Sequence, residues 1–345
     1  MITKLRKSLG AGTLALAMLV PLLAGCGANA SSAGGGITLY NGQHEQTTDA
    51  LVAGFEKATG IRVKVANNDE NTFDDQIIAQ GPNSPADVIY TENSPALEDL
   101  QAKGLLAPVE AATLAATPSK YDSPQGDWVG VSSRVSVMVY DPSLISKADL
   151  PTSVLQLADP KYKGKLAIAP GETDFQPIVT SVIRTYGEAA ALKWLQGLKT
   201  NAGPRQYPDN ETITSNVNKG RAAIGIIDQY YWYRLRAQLG ASNMHSAIAY
   251  FAGGDPGYVI DVSGAAVLAS SRHKAEAQRF LAYLVSKPGQ EIIARSDSFE
   301  YPIASGVTTA QPETPFGDLR PNPIDLAQLG TGATAVALLG EAQLL

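Results

Sequence analysis

The chain has 345 residues, of which 44% are hydrophobic and 17% are charged, and its formal net charge is −6. This is the composition of an ordinary globular protein, and the length suits two lobes better than one small core. The single cysteine, Cys26, excludes an internal disulfide. No run rich in Lys and Arg occurs, which argues against a nucleic-acid partner.

The N-terminus resembles an export signal. Lys4, Arg6 and Lys7 precede an apolar run that ends at Cys26 and is short for a membrane span. The sequence "LLAGC" resembles the bacterial lipobox, in which the cysteine is lipidated; the alternative is an ordinary signal peptide with an incidental cysteine. We therefore expect a signal peptide over 1–25 and a lipidated Cys26 with a flexible tether over 26–36. The mature protein would be lipid-anchored outside the cytoplasm, in the periplasm or on the outer face of the envelope.

Predicted strands and helices alternate from residue 37 onward. "ITLY" (37–40) and "IRVKV" (61–65) predict strands on either side of a helix that ends at Gly60. "DVIY" (87–90) predicts a third strand, followed by a helix in "SPALEDLQAKG". This alternation predicts a largely parallel sheet covered by helices. The longer extended stretch at 128–141 is predicted to cross from one lobe to the other.

A second set of elements begins at "GKLAIAP" (164–170) and reaches the strand "AAIGIID" (222–228). Helices are expected near 175–186, 188–199 and 274–286, a long extended run at 258–270, a surface connection at 311–323 and a packed helix at the C-terminus. We expect two lobes with more than one crossing between them. Lobe 1 would hold 37–133 and about 262–310, and lobe 2 would hold 134–261 and about 311–345.

Four polar side chains follow predicted strands. His44 comes four residues after the first strand, Glu92 two residues after the third, and Tyr230 and Tyr231 just after "AAIGIID". Ligands of an open α/β sheet lie beyond the carboxyl ends of its strands, so these side chains could meet across a cleft.

One imidazole, one carboxylate and two phenols suit a metal better than they suit catalysis. A phenol has a pKa of about 10, so ionising two of them near neutral pH needs a strong positive charge, such as a trivalent metal. Two phenolates and one carboxylate balance Fe³⁺, whereas Zn²⁺ or Cu⁺ would call for more His or thiolate and Ca²⁺ or Mg²⁺ for more carboxylates. The spacing alone leaves other interpretations open: a loop histidine, a solvated Glu92 and a helix with an aromatic core face. Trp232 and Tyr233 are expected to pack.

"YNGQHEQ", "PADVIYTEN" and "DQYYWYRL" together resemble the bacterial periplasmic ferric-ion-binding proteins, the transferrin-like substrate-binding components of ABC iron importers. The resemblance runs from about residue 37 to the C-terminus. It implies an α/β, two-lobed periplasmic-binding-protein type II fold, each lobe a mixed, mostly parallel sheet covered by helices, with a hinge and an interlobe cleft. It also implies a monomer that holds Fe³⁺ through His44, Glu92, Tyr230 and Tyr231 and delivers it to an ABC permease and ATPase.

Many members of that family add a synergistic anion, phosphate or carbonate, held by small residues at a helix start and by asparagines. The resemblance places the following residues at these positions: Asn93, Asn210, Asp228 and, within "PGETDFQP", Glu172, Thr173 and Asp174.

Acidic residues at these positions are a departure from the family pattern. Glu172 and Asp174 would oppose a dianion at close range, although both could instead be helix-capping residues. We therefore expect phosphate to bind poorly, with water, carbonate, citrate or a local side chain in its place, and Arg134 to supply compensating charge.

Two alternatives remain at this point. The same fold could bind a polyamine, a sugar, thiamine or an oxyanion for ABC import. The other alternative is an extracytoplasmic enzyme, but the sequence has no G-x-S-x-G or H-E-x-x-H motif and only three histidines, His44, His245 and His273.

Overall fold

The computed structural model describes residues 36–310 and 313–345. The predicted signal peptide, Cys26 and all but the last residue of the predicted tether lie outside the described residues. Within the described residues, no helix combines the length and apolarity needed to cross a membrane. Gly35–Leu345 forms one compact unit, so the lobe boundaries given above stay predictions.

The bounds of the elements within the described residues follow. The strands are β1 (Ile37–Asn41), β2 (Val63–Asn67), β3 (Val88–Thr91), β4 (Leu106–Ala107), β5 (Val129–Tyr140), β6 (Leu166–Ala167), β7 (Ile224–Asp228), β8 (Ala247–Ala249), β9 (Ile260–Leu268) and β10 (Tyr301–Pro302). The helices are α1 (Glu45–Thr59), α2 (Glu70–Gln80), α3 (Ser94–Ala102), α4 (Ala111–Leu114), α5 (Phe175–Tyr186), α6 (Glu188–Ala202), α7 (Asn210–Asn218), α8 (Gln229–Leu239), α9 (Lys274–Leu284), α10 (Lys287–Arg295), α11 (Leu326–Leu329) and α12 (Ala333–Glu341).

The strand order is β2-β1-β3-β9-β5-β7-β6. Successive residues of a strand face opposite sides of a sheet. We call the part of the molecule around β2, β1, β3 and β9 the first half, and the part around β7 and β6 the second half. In the first half, Leu39 and Val88 belong to one hydrophobic cluster and Tyr40 and Ile89 to another. Helix α1 ends where Gly60 takes the left-handed conformation, with φ of 73°, a conformation that glycine adopts without steric cost.

Strand β5 joins the two halves of the molecule. Its first part, Val129–Val135, pairs with β9, and its second part, Ser136–Tyr140, pairs with β7. Every residue of β5 is buried. The crossing predicted for the extended stretch at 128–141 is therefore confirmed.

The sheet is mixed, and its parallel share is smaller than the alternation of strands and helices predicts. The parallel pairs described are β1 with β2, β1 with β3 and β6 with β7. The long strands β5 and β9 pair with their neighbours in antiparallel fashion. Antiparallel pairing follows from the crossings, because a strand that returns from the other half enters the sheet from the opposite end.

The C-terminal segment contributes to both halves. Leu326 and Leu329 of α11 pack in a cluster of the first half, whereas Leu338 and Leu339 of α12 pack in the core of the second. The predicted C-terminal helix is confirmed as α12.

Candidate metal site

His44 lies where β1 gives way to α1. It is the N-cap of α1, and its backbone N–H donates to Gln43 Oε1 at 2.6 Å. Its Nε2 atom is buried without a hydrogen-bond partner among the described residues and lies 3.3 Å from Glu92 Oε1. A buried nitrogen that faces a carboxylate without a hydrogen bond is available as a metal ligand.

Glu92 follows β3 and meets Tyr230 from the other half of the molecule. The Tyr230 hydroxyl donates to Glu92 Oε1 at 2.9 Å, and the rings of His44 and Tyr230 lie 5.0 Å apart at their centroids. The structure therefore brings together the imidazole, the carboxylate and the first phenol.

Tyr230 and Tyr231 occupy the first turn of α8, directly after β7. Adjacent helical residues point about 100° apart, yet both hydroxyls donate to Asp174 Oδ2, at 3.4 Å and 3.0 Å respectively. Tyr231 also donates to Glu172 Oε2 at 3.3 Å. The two phenols can converge because they sit at the strand-to-helix junction, where their rings lie in contact with centroids 4.0 Å apart and planes tilted by 30°.

Trp232 and Tyr233 point away from this convergence. The Trp232 indole donates to the Ser246 carbonyl at 3.2 Å, and Tyr233 is buried and stacks on Phe299. Both side chains pack, as the sequence predicts.

Asp174 is the centre of the hydrogen bonds around the phenols. Besides both tyrosines, its carboxylate accepts from Asn93 at 3.3 Å and from Asn210 at 3.3 Å. Asn93 also donates to Thr173 Oγ1 at 3.0 Å. Asn210 donates to Glu172 as well, at 3.4 Å. Five of the residues expected at the anion position, Asn93, Glu172, Thr173, Asp174 and Asn210, are therefore linked by hydrogen bonds, and Asp174 accepts from both asparagines.

The guanidinium group of Arg134 neutralises part of this acidic cluster. The guanidinium is fully buried in the middle of β5 and lies 3.2 Å from Asp174, 3.1 Å from Asp228 and 3.2 Å from Glu300. Burial alone would lower the pKa of Arg134, but the carboxylates of Asp174, Glu92 and Glu300 raise it well above its usual value. Arg134 is therefore a permanent cation, as expected for the compensating charge.

Burial also shifts the groups that would bind a metal. It raises the pKa of Tyr230 and Tyr231 well above 10, and the carboxylates of Asp174 and Glu92 raise them further. The pKa of Glu92 rises to about 7, mainly because of burial. Burial lowers the pKa of His44 to about 4. Without a metal the phenols are neutral, and the imidazole is ready to coordinate.

The surrounding acids are equally costly to ionise. Burial, followed by the charge of Asp174, raises the pKa of Glu172 to about 9. Burial raises the pKa of Asp261 to about 8 and that of Asp228 well above its usual value. A cation of high positive charge in this site would favour the ionised form of these acids, because its charge offsets the cost of burying theirs.

The sequence did not predict three residues that contact the site, namely Gln43, Glu70 and Glu300. Glu300 offers a carboxylate oxygen within 4.8 Å of ligand atoms of His44 and Glu92, and it accepts from Gln43 at 3.2 Å. Glu70 accepts from the backbone and side-chain N–H groups of Asn93 at 2.8 Å and 3.0 Å.

Little in the sequence signals these contacts. Glu300 reaches the site after Phe299, which has a left-handed backbone with φ of 55°, a conformation that no local pattern predicts.

Several helices begin at the site. His44, Asn93, Asp174 and Asp228 are the N-caps of α1, α3, α5 and α8, and Asn210 is the first residue of α7. The turns that follow β1, β3 and β7 therefore deliver the four candidate ligands His44, Glu92, Tyr230 and Tyr231, whereas Asp174 follows the short strand β6.

Fold and site together define a class. A two-lobed α/β protein with a buried polar cluster between segments of both halves is a solute-binding protein of the periplasmic type. Residues 83–318 match the family described as bacterial extracellular solute-binding protein, and the chain belongs to this family. Its members bind solutes and are not enzymes, and they act outside the cytoplasm.

Individual relatives bear iron-related names. The chain is 40% identical to the Fe(3+)-binding periplasmic protein of Serratia marcescens over 92% of this chain and 94% of the relative. Iron-bound HitA from Pseudomonas aeruginosa has a TM-score of 0.85 and 38% identity over 90% of this chain and 99% of its own. Trichodesmium IdiA (FutA) in complex with iron and citrate has a TM-score of 0.78 and 28% identity over 89% and 99%. The resemblance drawn from the sequence is therefore confirmed.

Proposed function

We propose that this protein binds Fe³⁺ as cargo between its two halves, with His44, Glu92, Tyr230 and Tyr231 as ligands. The observation that carries the proposal is the buried contact of both phenols with acidic groups, next to an imidazole nitrogen that has no hydrogen bond. Four side chains from three separate segments would each present a hard oxygen or an imidazole nitrogen. The names of the Serratia and Pseudomonas relatives support the same cargo.

Binding would exchange protons for the metal. Tyr230 and Tyr231 are neutral before the metal arrives and would each release a proton on coordination. Below about pH 7 the carboxyl group of Glu92 is also protonated, so metal binding there would release a third proton. Two phenolates and one carboxylate balance three positive charges. A divalent ion would leave one of these three negative charges unbalanced, which favours Fe³⁺ over Zn²⁺, Ca²⁺ or Mg²⁺.

Asp174 is proposed to replace the synergistic anion. The donors that the family resemblance assigns to an anion, Asn93 and Asn210, both donate to its carboxylate, and both phenols do the same. An incoming phosphate would meet a buried carboxylate held by Arg134. This is the local side chain expected from the sequence, and it would reduce the need for carbonate, citrate or phosphate.

Capture and delivery would follow from movement of the two halves. His44 and Glu92 belong to the first half and the tyrosines to the second, so a bound ion would hold the halves together. The protein would act as a monomer, anchored to the membrane through lipid at Cys26, and would pass iron to an ABC permease and its ATPase.

The decisive experiment uses the soluble protein that starts at residue 27. After loading with ferric citrate and gel filtration, metal content and a visible absorption band should show one bound ferric ion with tyrosinate ligands. Tyr230→Phe and Tyr231→Phe should each lose most of the band, whereas Tyr233→Phe, which changes a packed phenol in the same helix, should keep it. A colourless wild-type protein that retains no iron would point to another cargo.

A further inference from the structure

A cavity of about 570 Å³ lies beside β10, and none of the four candidate metal ligands lines it. The chain that follows β10 forms most of its wall, and Pro118 and residues of the segment 313–317 complete it. Ligand-binding cavities of proteins measure about 300–1,000 Å³, so this space suits a small organic molecule. The proposed iron site makes no use of it.

Most of the lining of this cavity is apolar or aromatic. Ile303 and Val307 contribute apolar side chains, and Tyr301 and Phe316 contribute rings whose centroids lie 5.2 Å apart. The Tyr301 hydroxyl donates to the Thr314 carbonyl at 2.9 Å, so this residue offers its ring to a ligand. Apolar surface binds a ligand through the hydrophobic effect, and the faces of aromatic rings attract cations.

Glu313 gives the cavity its charge. Among the described residues that line the cavity, no other carries a charge. The Oε2 atom of Glu313 accepts from the Gln229 amide at 3.3 Å, whereas Oε1 is buried without a hydrogen-bond partner in the described part of the chain. Burial raises the pKa of Glu313 to about 8, although the Gln229 amide partly opposes this rise. A cationic ligand would supply the positive charge that this carboxyl group lacks.

We propose that this cavity binds a small apolar amine, with its ammonium group at Glu313 and its carbon atoms against Ile303, Val307 and Phe316. An anion would meet the carboxyl group of Glu313 without a cationic side chain in the described lining to bind it. A metal ion such as Ca²⁺ or Zn²⁺ would find one carboxylate where it needs several ligands. An apolar amine matches both parts of the cavity, because its charge pairs with the carboxylate while its carbon atoms leave water.

The test compares two probes of nearly the same shape on the metal-free protein that starts at residue 27. Phenethylamine is a cation at about pH 8, where Glu313 is about half ionised, whereas 2-phenylethanol carries a neutral hydroxyl in place of the ammonium group. Binding is measured by ligand-observed NMR titration. The variant is Glu313→Gln, and the matched control is Asp318→Asn, which changes an exposed acid in the same segment of the chain.

Wild type and Asp318→Asn should bind phenethylamine about tenfold more tightly than 2-phenylethanol, the scale of one charge-assisted hydrogen bond. Glu313→Gln should bind phenethylamine about tenfold more weakly than wild type, and its binding of 2-phenylethanol should stay unchanged. Val307→Trp places a large side chain in the cavity, so both probes should lose affinity. This second variant decides where the probes bind if Glu313→Gln does not fold.

Any of three outcomes would overturn the proposal. The first is a wild-type protein that binds neither probe. The second is phenethylamine binding that is no tighter than that of 2-phenylethanol, or that Glu313→Gln leaves at the level of Asp318→Asn. The third is a Val307→Trp variant that binds phenethylamine as tightly as wild type, since the amine would then lie elsewhere. None of these measurements involves iron, so their failure would leave the proposed function intact.

Discussion

Replacing Asp174 with asparagine tests whether a side chain of the protein has taken over the role of an exogenous anion. The amide has nearly the same shape and can still accept a hydrogen bond from Tyr231, which donates to Asp174 at 3.0 Å. The substitution removes one negative charge at Asp174, which is 3% exposed. Iron affinity should fall, because the lost carboxylate contacts both phenols and would lie close to a metal bound between them.

The size of the effect follows from the distances. A metal bound to the Tyr231 oxygen, with a bond of about 2 Å, lies no more than about 5 Å from Asp174 Oδ2. At an effective dielectric constant of about 20, one pair of unit charges at that distance contributes about 3 kcal/mol. Before Glu92 is counted, the two phenolates leave one unit of the ferric charge, and we count the attraction of Asp174 to that unit. Iron affinity should therefore fall by a factor of about 100.

The assay is competition for iron against citrate, read from the visible band, in buffer with and without phosphate. Glu188→Gln is the matched control, because this exposed acid lies beyond the far end of α5, about 20 Å from Asp174 along the helix. Asp174→Ser goes further by opening the space that the carboxylate fills. Phosphate should restore much of its lost affinity and leave wild type unchanged.

Two results would refute this reasoning. The first is a wild-type protein whose iron affinity rises strongly in phosphate, since Asp174 would then leave room for the anion. The second is an Asp174→Asn variant that binds iron as tightly as Glu188→Gln does.

Three further predictions concern protons and closure. The iron band should bleach as the pH falls below about 7, because protons compete for Glu92 and the phenols; a spectrum unchanged down to about pH 5 would contradict this. The stability of the metal-free protein should depend on pH in the opposite direction and decrease as the pH rises. Burial raises the pKa of Glu70 to about 8, so the folded state keeps a proton that the unfolded state has lost. Between about pH 6.5 and 8, the loss of this proton from Glu70 alone should lower the free energy of unfolding by about 1–2 kcal/mol, so thermal melts of Glu70→Gln should show a shallower fall of the melting temperature with pH than wild type. Asn93→Ala removes two hydrogen bonds to the opposite half, at 3.0 Å and 3.3 Å, worth about 1 kcal/mol each. Stopped-flow transfer of iron to a strong chelator should speed up by about tenfold or more, with the band maximum unmoved.

The main elements could be predicted from the sequence because their signals are local. Short apolar runs marked β1, β3 and β7, and a left-handed glycine ended α1 where expected. The helix α2 was not predicted, since its apolar residues are few and Phe73 and Ile77 supply most of its buried face. The small parallel share of the sheet was also beyond reach, because pairing depends on how distant strands meet.

The candidate site could be predicted where strand ends place side chains. His44, Glu92, Tyr230 and Tyr231 all follow strands, and a sheet gathers its strand ends at one edge. Glu300 follows no strand and comes from a turn some two hundred residues from Glu92 in sequence, so only tertiary packing shows its place. For Asp174, the sequence indicated a conflict of charge with a dianion and left a local side chain as one of several replacements for the anion, without showing which side chain that is.

The helix starts around the site have a consequence for which ions can enter. Each helix N-terminus carries about half a positive charge, and α1, α3, α5, α7 and α8 all begin here. Such a frame repels a weakly charged cation that leaves the phenols protonated, and it stabilises the same phenols once they are ionised. With Tyr230 and Tyr231 as the proposed ligands, entry would have a threshold: an ion would have to be acidic enough to deprotonate both hydroxyls before the helix dipoles stabilised the complex. Under the proposed binding mode, the fold would select ions by charge through backbone geometry that no single side-chain substitution removes.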